Sequence, residues 1–209
     1  TNATSRALGA QFDLDYSELG ETGPISYKMN KEGNKLIVGL PDLNIVTIYF
    51  YNEVNDIWEK KGFTAVTTSE DIEYGLEIFG NDDFSEVIVV FLKGLAFFDV
   101  TLDTGEFNSK NLQLIEMPSD KHMVVASSDL SRIFKVTIET TNGFNSARTS
   151  PKTITQLDRI LDEFQEVQHK EISNVISLST NSNGGLLAVG CIECVDGNHG
   201  ILTFKVDDP

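Results

Sequence analysis

Ile25-Ser26-Tyr27-Lys28-Met29-Asn30-Lys31-Glu32-Gly33-Asn34-Lys35-Leu36-Ile37-Val38-Gly39 lies without gaps on Ile176-Ser177-Leu178-Ser179-Thr180-Asn181-Ser182-Asn183-Gly184-Gly185-Leu186-Leu187-Ala188-Val189-Gly190. Ile, Ser, Asn, Gly, Leu, Val and Gly fall at the same offsets, about half of the window, which marks an internal repeat. Each window reads as an alternating strand, a turn rich in Asn and Gly, and a second strand, so the repeating unit is a β-hairpin. Weaker copies run from Leu76 to Val89, with Asn81 in the turn, and from Met123 to Val136, with Ser128 in the turn. The turn positions Asn30, Asn81, Ser128 and Asn181 recur about every fifty residues, the length of a four-stranded propeller blade.

Working outward, a third strand follows the hairpin at Val46 to Tyr51, Leu95 to Thr101 and Gly200 to Val206, each a β-branched and aromatic run. An outer fourth strand is plainest at Trp58 to Phe63, and Asp103-Thr104-Gly105 turns the second unit the same way. The last unit stops at Pro209, after its third strand. Arg6 to Phe12 precedes the first unit where Trp58 to Phe63 precedes the second, so it is expected to supply that fourth strand and close the ring, removing two exposed edges. The expected fold is an all-β propeller of about four blades in one domain spanning 1–209. Residues 1–22 form the closing strand and loop, and the repeats run approximately 23–73, 74–121, 122–173 and 174–209. A second reading, a segment of a larger propeller, keeps the same repeats. In the third unit Ile154, Leu157, Ile160, Leu161, Phe164 and Val167 recur at helical spacing, and Ser150 before Pro151 suits a helix start. An inserted helix is therefore expected near 153–168.

Thirty-two acidic against sixteen basic residues give a net charge of −16, which repels nucleic-acid phosphates and anionic lipid headgroups. No apolar run approaches the roughly twenty residues of a membrane-spanning helix. The chain begins at Thr1 without an initiator Met or a signal segment, which implies processing, trimming or excision from something longer. Asn2-Ala3-Thr4 is a glycosylation sequon, meaningful if the chain is secreted.

Gly33-Asn34-Lys35-Leu36-Ile37-Val38-Gly39-Leu40-Pro41 and Gly184-Gly185-Leu186-Leu187-Ala188-Val189-Gly190 resemble the Gly-x-x-Leu-x-Val-Gly-Ala-Pro strand of the FG-GAP repeats of integrin-alpha-like propellers. Trp58-Glu59-Lys60-Lys61-Gly62 and the loop Asp196 to Ile201 also fit that family's blades. The resemblance implies adhesion or assembly, often outside the cytosol, with calcium in some blade turns. The turns here depart from it. Asn30-Lys31-Glu32-Gly33 and Asn181-Ser182-Asn183-Gly184 carry few carboxylates, whereas calcium takes six to eight oxygens; Asp13 and Asp15 form a second acidic candidate.

Cys191 and Cys194 form a Cys-x-x-Cys pair with no second such pair to complete a zinc site. Reduced structural thiols, a local disulfide, and a metal or redox role all remain open, and a disulfide would imply an oxidising compartment. His122, His169 and His199 are scattered, and no nucleophile elbow accompanies them. The function expected is a non-catalytic binding or assembly module with a protein partner, or a glycan, and with neither nucleic acid nor membrane insertion. Its site is expected outside the cytosol, and Tyr16, Tyr49, Tyr51, Trp58 and Phe144 are the candidate anchors. The alternative is a carbohydrate-active hydrolase or lectin using the central face, which for hydrolysis requires two acids to converge there.

Overall fold

The computed structural model describes residues 26–65, 73–115, 117, 123–138, 151–160, 163–195 and 198–206. Among these residues fifteen strands form four antiparallel sheets, each following chain order. Sheet 1 holds β1 (Ser26–Met29), β2 (Lys35–Leu40), β3 (Ile45–Asn52) and β4 (Ile57–Ala65); sheet 2 holds β5 (Glu77–Gly80), β6 (Glu86–Phe91), β7 (Gly94–Val100) and β8 (Phe107–Leu114). Sheet 3 holds β9 (Val124–Ala126), β10 (Arg132–Ile138), β11 (Pro151–Ile160) and β12 (Glu163–Ser173), and sheet 4 holds β13 (Val175–Thr180), β14 (Leu186–Val195) and β15 (Asn198–Lys205). The four sheets are the blades of a β-propeller. One complete 3₁₀ turn, Pro41–Leu43, is present among the described residues.

Three apolar cores hold successive blades together. Ile37, Val46 and Ile48 pack against Val87, Val89 and Phe98 between sheets 1 and 2. Phe79, Ile88 and Phe97 meet Ile133, Leu157 and Phe164 between sheets 2 and 3, and Phe134, Ile154 and Ile172 meet Leu187 and Val189 between sheets 3 and 4. Middle strands are therefore buried on both faces and read as near-continuous apolar runs, as in Val87 to Phe91. Tyr27, Met29 and Phe63 on sheet 1, and Ile176, Leu186 and Ile201 on sheet 4, stay exposed.

The helix expected near 153–168 is absent: those residues are β11 and β12, paired with each other. Ile154 and Leu157 stand three apart because they lie on opposite faces of a strand whose two faces are both buried, Ile154 toward sheet 4 and Leu157 toward sheet 2. A strand between two cores can thus reproduce helical spacing. The closing strand expected at Arg6 to Phe12 lies outside the described residues, and among those described sheet 4 has three strands.

Polar ties seal the seams. Arg159 grips Glu86 across sheets 3 and 2 with both Nη atoms, at 2.8 and 2.7 Å. Gln113 of β8 donates to the Phe164 carbonyl (2.6 Å) and accepts from its N–H (2.8 Å), as a strand neighbour would. Between sheets 3 and 4, Lys152 Nζ donates to the Val175 carbonyl at 2.6 Å, and Arg132 Nη1 to that of Gly184 at 3.3 Å. Arg132 is also paired through Nε to the buried Asp158 at 3.0 Å.

Candidate functional site: the turn rim and the central channel

The turn between the first two strands of each blade has one construction, repeated four times. Its first residue is Asn30, Asn81, Ser127 or Asn181. The side-chain oxygen of that residue accepts the backbone N–H five positions on, from Lys35 (2.9 Å), Glu86 (3.0 Å), Arg132 (3.0 Å) and Leu186 (2.9 Å). Its carbonyl accepts from the fourth residue, Gly33, Phe84, Leu130 or Gly184, each at 3.0 or 3.1 Å. That fourth residue takes positive φ in every case, at 73°, 62°, 57° and 69° respectively. Glycine is the residue that adopts this region freely; Phe84 and Leu130 are held there by burial of their side chains. The third equivalent position is Ser127, one residue before the Ser128 expected from sequence, because a serine hydroxyl rather than an asparagine amide closes that turn.

The second and third residues of each turn face solvent: Lys31-Glu32, Asp82-Asp83, Ser128-Asp129 and Ser182-Asn183. The first turn is tied to the second and the third to the fourth. Lys31 N–H donates to the Asp82 carbonyl at 3.0 Å and Ser128 N–H to that of Ser182 at 2.8 Å; Lys31 Nζ also pairs with the Asp82 carboxylate at 2.6 Å, which raises the lysine's pKa. Asp83 and Asp129 accept the N–H groups of Ser85 (2.9 Å) and Ser131 (3.1 Å). The Ser85 bonds hold Asp83 below the usual carboxylate range, and those from Ser127 and Ser131 do so for Asp129 against the opposing effect of burial. The rim is thus a rigid frame whose exposed tips differ in charge from blade to blade.

Behind the rim runs the central channel, lined by the innermost strands β1, β5, β9 and β13 around a cavity of about 290 Å³. Its polar lining is Lys28, Glu77, Ser177, Ser179 and Thr180, with Phe79 among the apolar side chains. The described lining therefore brings one carboxylate and one ammonium to a hydroxyl-rich wall, and no second acid for acid–base hydrolysis. Glu86 is held low by the Arg159 guanidinium, and burial pushes the Tyr74 hydroxyl up to about 12.

Of the aromatic candidates, Tyr51 and Trp58 are brought together as a cross-strand pair on β3 and β4, ring centroids 5.3 Å apart. Tyr51 donates to Asp56. Strand alternation places Tyr51 opposite Phe50, which packs toward sheet 2, so the pair lies on the outer face of sheet 1. Burial raises the pKa of Tyr49 on that same face. Tyr16, Phe144, Asp13 and Asp15 lie outside the described residues, as do Asn2 and Ser150. Among the described residues no cluster of three or more His, Cys, Asp or Glu forms. Cys191 is disulfide-bonded, and the chain's other cysteine is Cys194. Both fall where the pairing of β14 with β15 slips between Cys191 and Val195. Sequence reasoning aligned Asn30, Asn81 and Asn181 as equivalent turn positions and placed the third one residue late, at Ser128; a Ser or Asn five residues before each second strand is the signal that selects Ser127.

No family model and no curated protein matches the sequence. Solved propellers match the fold. A putative 6-phosphogluconolactonase from Bacteroides uniformis aligns over 87% of this chain and 55% of its own at 11% identity, TM-score 0.54. A second putative 6-phosphogluconolactonase, from Bacteroides fragilis, covers 88% and 55% at 13% identity, TM-score 0.53. The β-propeller domain of Cps50 (Swd1) from Myceliophteria thermophila covers 87% and 53% at 11% identity, TM-score 0.51. The chain spans a little over half the length of these structures. At such identities the likeness establishes the β-propeller fold, and the function rests on this chain's own residues.

Proposed function

We propose that the chain is a non-catalytic binding module that recognises a protein partner through the turn tips around its channel. The observation carrying this reading is the rim: one hydrogen-bonded turn built four times, with exposed tips that differ in charge from blade to blade. Rigid frames with variable tips suit recognition, because binding then loses little conformational entropy in the ordering of loops. The tips carry Asp82, Asp83, Asp129 and Glu32 on a chain of net charge −16, so the partner surface is basic and association weakens as salt rises. The bonded state of Cys191 supports a place outside the reducing cytosol, as the resemblance to adhesion propellers implies. The test is capture of partners from an extract, using the wild-type chain and the Asp82→Lys/Asp83→Lys/Asp129→Lys variant side by side. A protein retained by the first and lost by the second supports the reading; retention by both would remove the rim from it.

A further inference from the structure

Sheet 4 repeats, on the face turned away from sheet 3, the surface by which sheet 1 holds sheet 2. On sheet 1, Ser26, Gly39 and Val46 form one cross-strand row, and Ile37 with Ile48 belongs to the next. Ser26 Oγ donates to the Gly75 carbonyl of the following sheet at 2.7 Å. A Cβ on Gly39 would lie 2.4 Å from that carbonyl oxygen and 3.0 Å from Ile78 Cδ1, so the glycine is the notch that lets the next blade in. Ile37, Val46 and Ile48 complete this core. On sheet 4 the same register gives Ser177, Gly190 and Ile201, then Ala188 with Thr203. Strand alternation sets them opposite Leu178, Leu187, Val189 and Phe204, which pack on sheet 3. Here the surface is uncovered. Ser177 is exposed where Ser26 is buried, and Ile201 is 75% exposed where Val46 is fully buried.

The chain also carries the surface that fits this notch. Sheet 2 enters the notch of sheet 1 with Ile78 and with Gly75, the glycine ahead of β5. In sheet 1 Tyr27 holds the place of Ile78, three residues before the first residue of its turn, and Gly23 precedes β1 in the sequence. Tyr27 and Met29 point away from sheet 2 and are 71% and 50% exposed. Sizes match as well. Sheet 4 offers Ala188 and Thr203 where sheet 1 has Ile37 and Ile48, which leaves room for Tyr27 and Met29 where sheet 2 has Ile78 and Gly80. We propose that sheet 4 docks sheet 1 of a second copy of this chain, so that two copies close one ring of eight blades. About a two-fold axis along the channel, sheet 4 of each copy faces sheet 1 of the other, both seams form at once, and assembly stops at two. Eight blades lie within the range in which propellers close. The turn tips stay outside these seams, so this inference and the protein-binding reading stand or fall separately.

The test is sedimentation of the full chain over a concentration series, at low and high salt, beside the variants Ile201→Asp and Tyr27→Lys. The expected result is a concentration-dependent dimer that tightens as salt rises, because the seams are apolar and each copy carries a charge of −16. Each variant buries an unpaired charge in both seams and should weaken the dimer about tenfold or more. Mixing the two variants should restore association, since one seam is then native and the other sets the introduced carboxylate against the introduced ammonium. Both positions are exposed in the single chain, so each variant should keep the wild-type melting temperature at the dilute end of the series. A monomer throughout the series would overturn the proposal, as would species larger than a dimer. Wild-type association of Tyr27→Lys would leave sheet 4 pairing with itself, and a mixture that fails to associate would leave the two faces unrelated; either result overturns it. A large fall in melting temperature of the dilute variants would assign the faces to segments of the chain itself, and would overturn it equally.

Discussion

Replacing Arg132 with Met is expected to cost more stability than any other single change at a seam, and the reason lies in what it leaves behind. Arg132 and Asp158 have side chains only 6% and 8% exposed. Nε and Nη2 of the arginine reach the two carboxylate oxygens at 3.0 and 3.5 Å, while Nη1 reaches the Gly184 carbonyl across the seam. Removing the guanidinium leaves Asp158 buried with the Gln156 amide still donating to it, at 2.8 Å. Breaking a buried pair from one side costs about 3–5 kcal/mol. At about 2–4 °C per kcal/mol for a chain of this size, the melting temperature should fall by on the order of 10 °C. The double variant Arg132→Met/Asp158→Leu should recover most of that loss, because both desolvated charges are then gone. Urea unfolding followed by circular dichroism, with calorimetry, measures both. A fall below about 2 °C for the single variant, or a double variant less stable than the single one, would refute the assignment of a buried, mutually dependent pair.

The Glu86 carboxyl, held below its ordinary value of 4.5 by Arg159, contributes stability that is present above that value and lost as pH falls through the lower folded one. The melting-temperature gap between wild type and Glu86→Gln should therefore be widest near neutrality and close in acid. Asn181→Ala removes the side-chain acceptor of its turn and should cost about 1 kcal/mol in urea unfolding. Leu130→Gly relieves a φ of 57° but empties a fully buried position; relief of about 1 kcal/mol against a loss of about 2–5 makes it destabilising, and a gain in stability would show that backbone strain dominates there. Native, unreduced chain should resist alkylation at both cysteines, and labelling of either would count against the oxidising compartment proposed above.

The blades were legible where sequence and structure share a local cause. Ser26 stands opposite Gly39, and Ser177 opposite Gly190, as cross-strand partners. In both pairs a Cβ on the glycine would lie 2.4 Å from the serine Oγ, so the residue matches between the first and last hairpins record one packing arrangement used twice. The Gly at the fourth turn position was readable for the same reason, as the residue suited to positive φ. In the two middle turns, found from sequence at Asn81 and Ser128, the positive-φ position was not readable, since the backbone conformation of Phe84 and Leu130 is imposed by the cores their side chains enter, a tertiary effect with no local signature. The third blade was misread as partly helical because a strand buried on both faces loses the alternation that identifies strands. The channel lining was not legible at all: Lys28, Glu77 and Ser179 come from three blades far apart in sequence and meet through the curvature of the ring.

The most direct test of a rigid frame bearing functional tips is to give the second turn the tip of the fourth. Asp82→Ser/Asp83→Asn converts Asn81-Asp82-Asp83 into the order found at Asn181-Ser182-Asn183, where Asn183 accepts the Gly185 N–H at 3.0 Å, the role Asp83 fills for Ser85. Affinity for the captured partner and melting temperature are then measured on the same preparation. The account predicts a melting temperature close to wild type with partner affinity reduced about tenfold or more. Undiminished affinity, or a collapse of the fold, would contradict it.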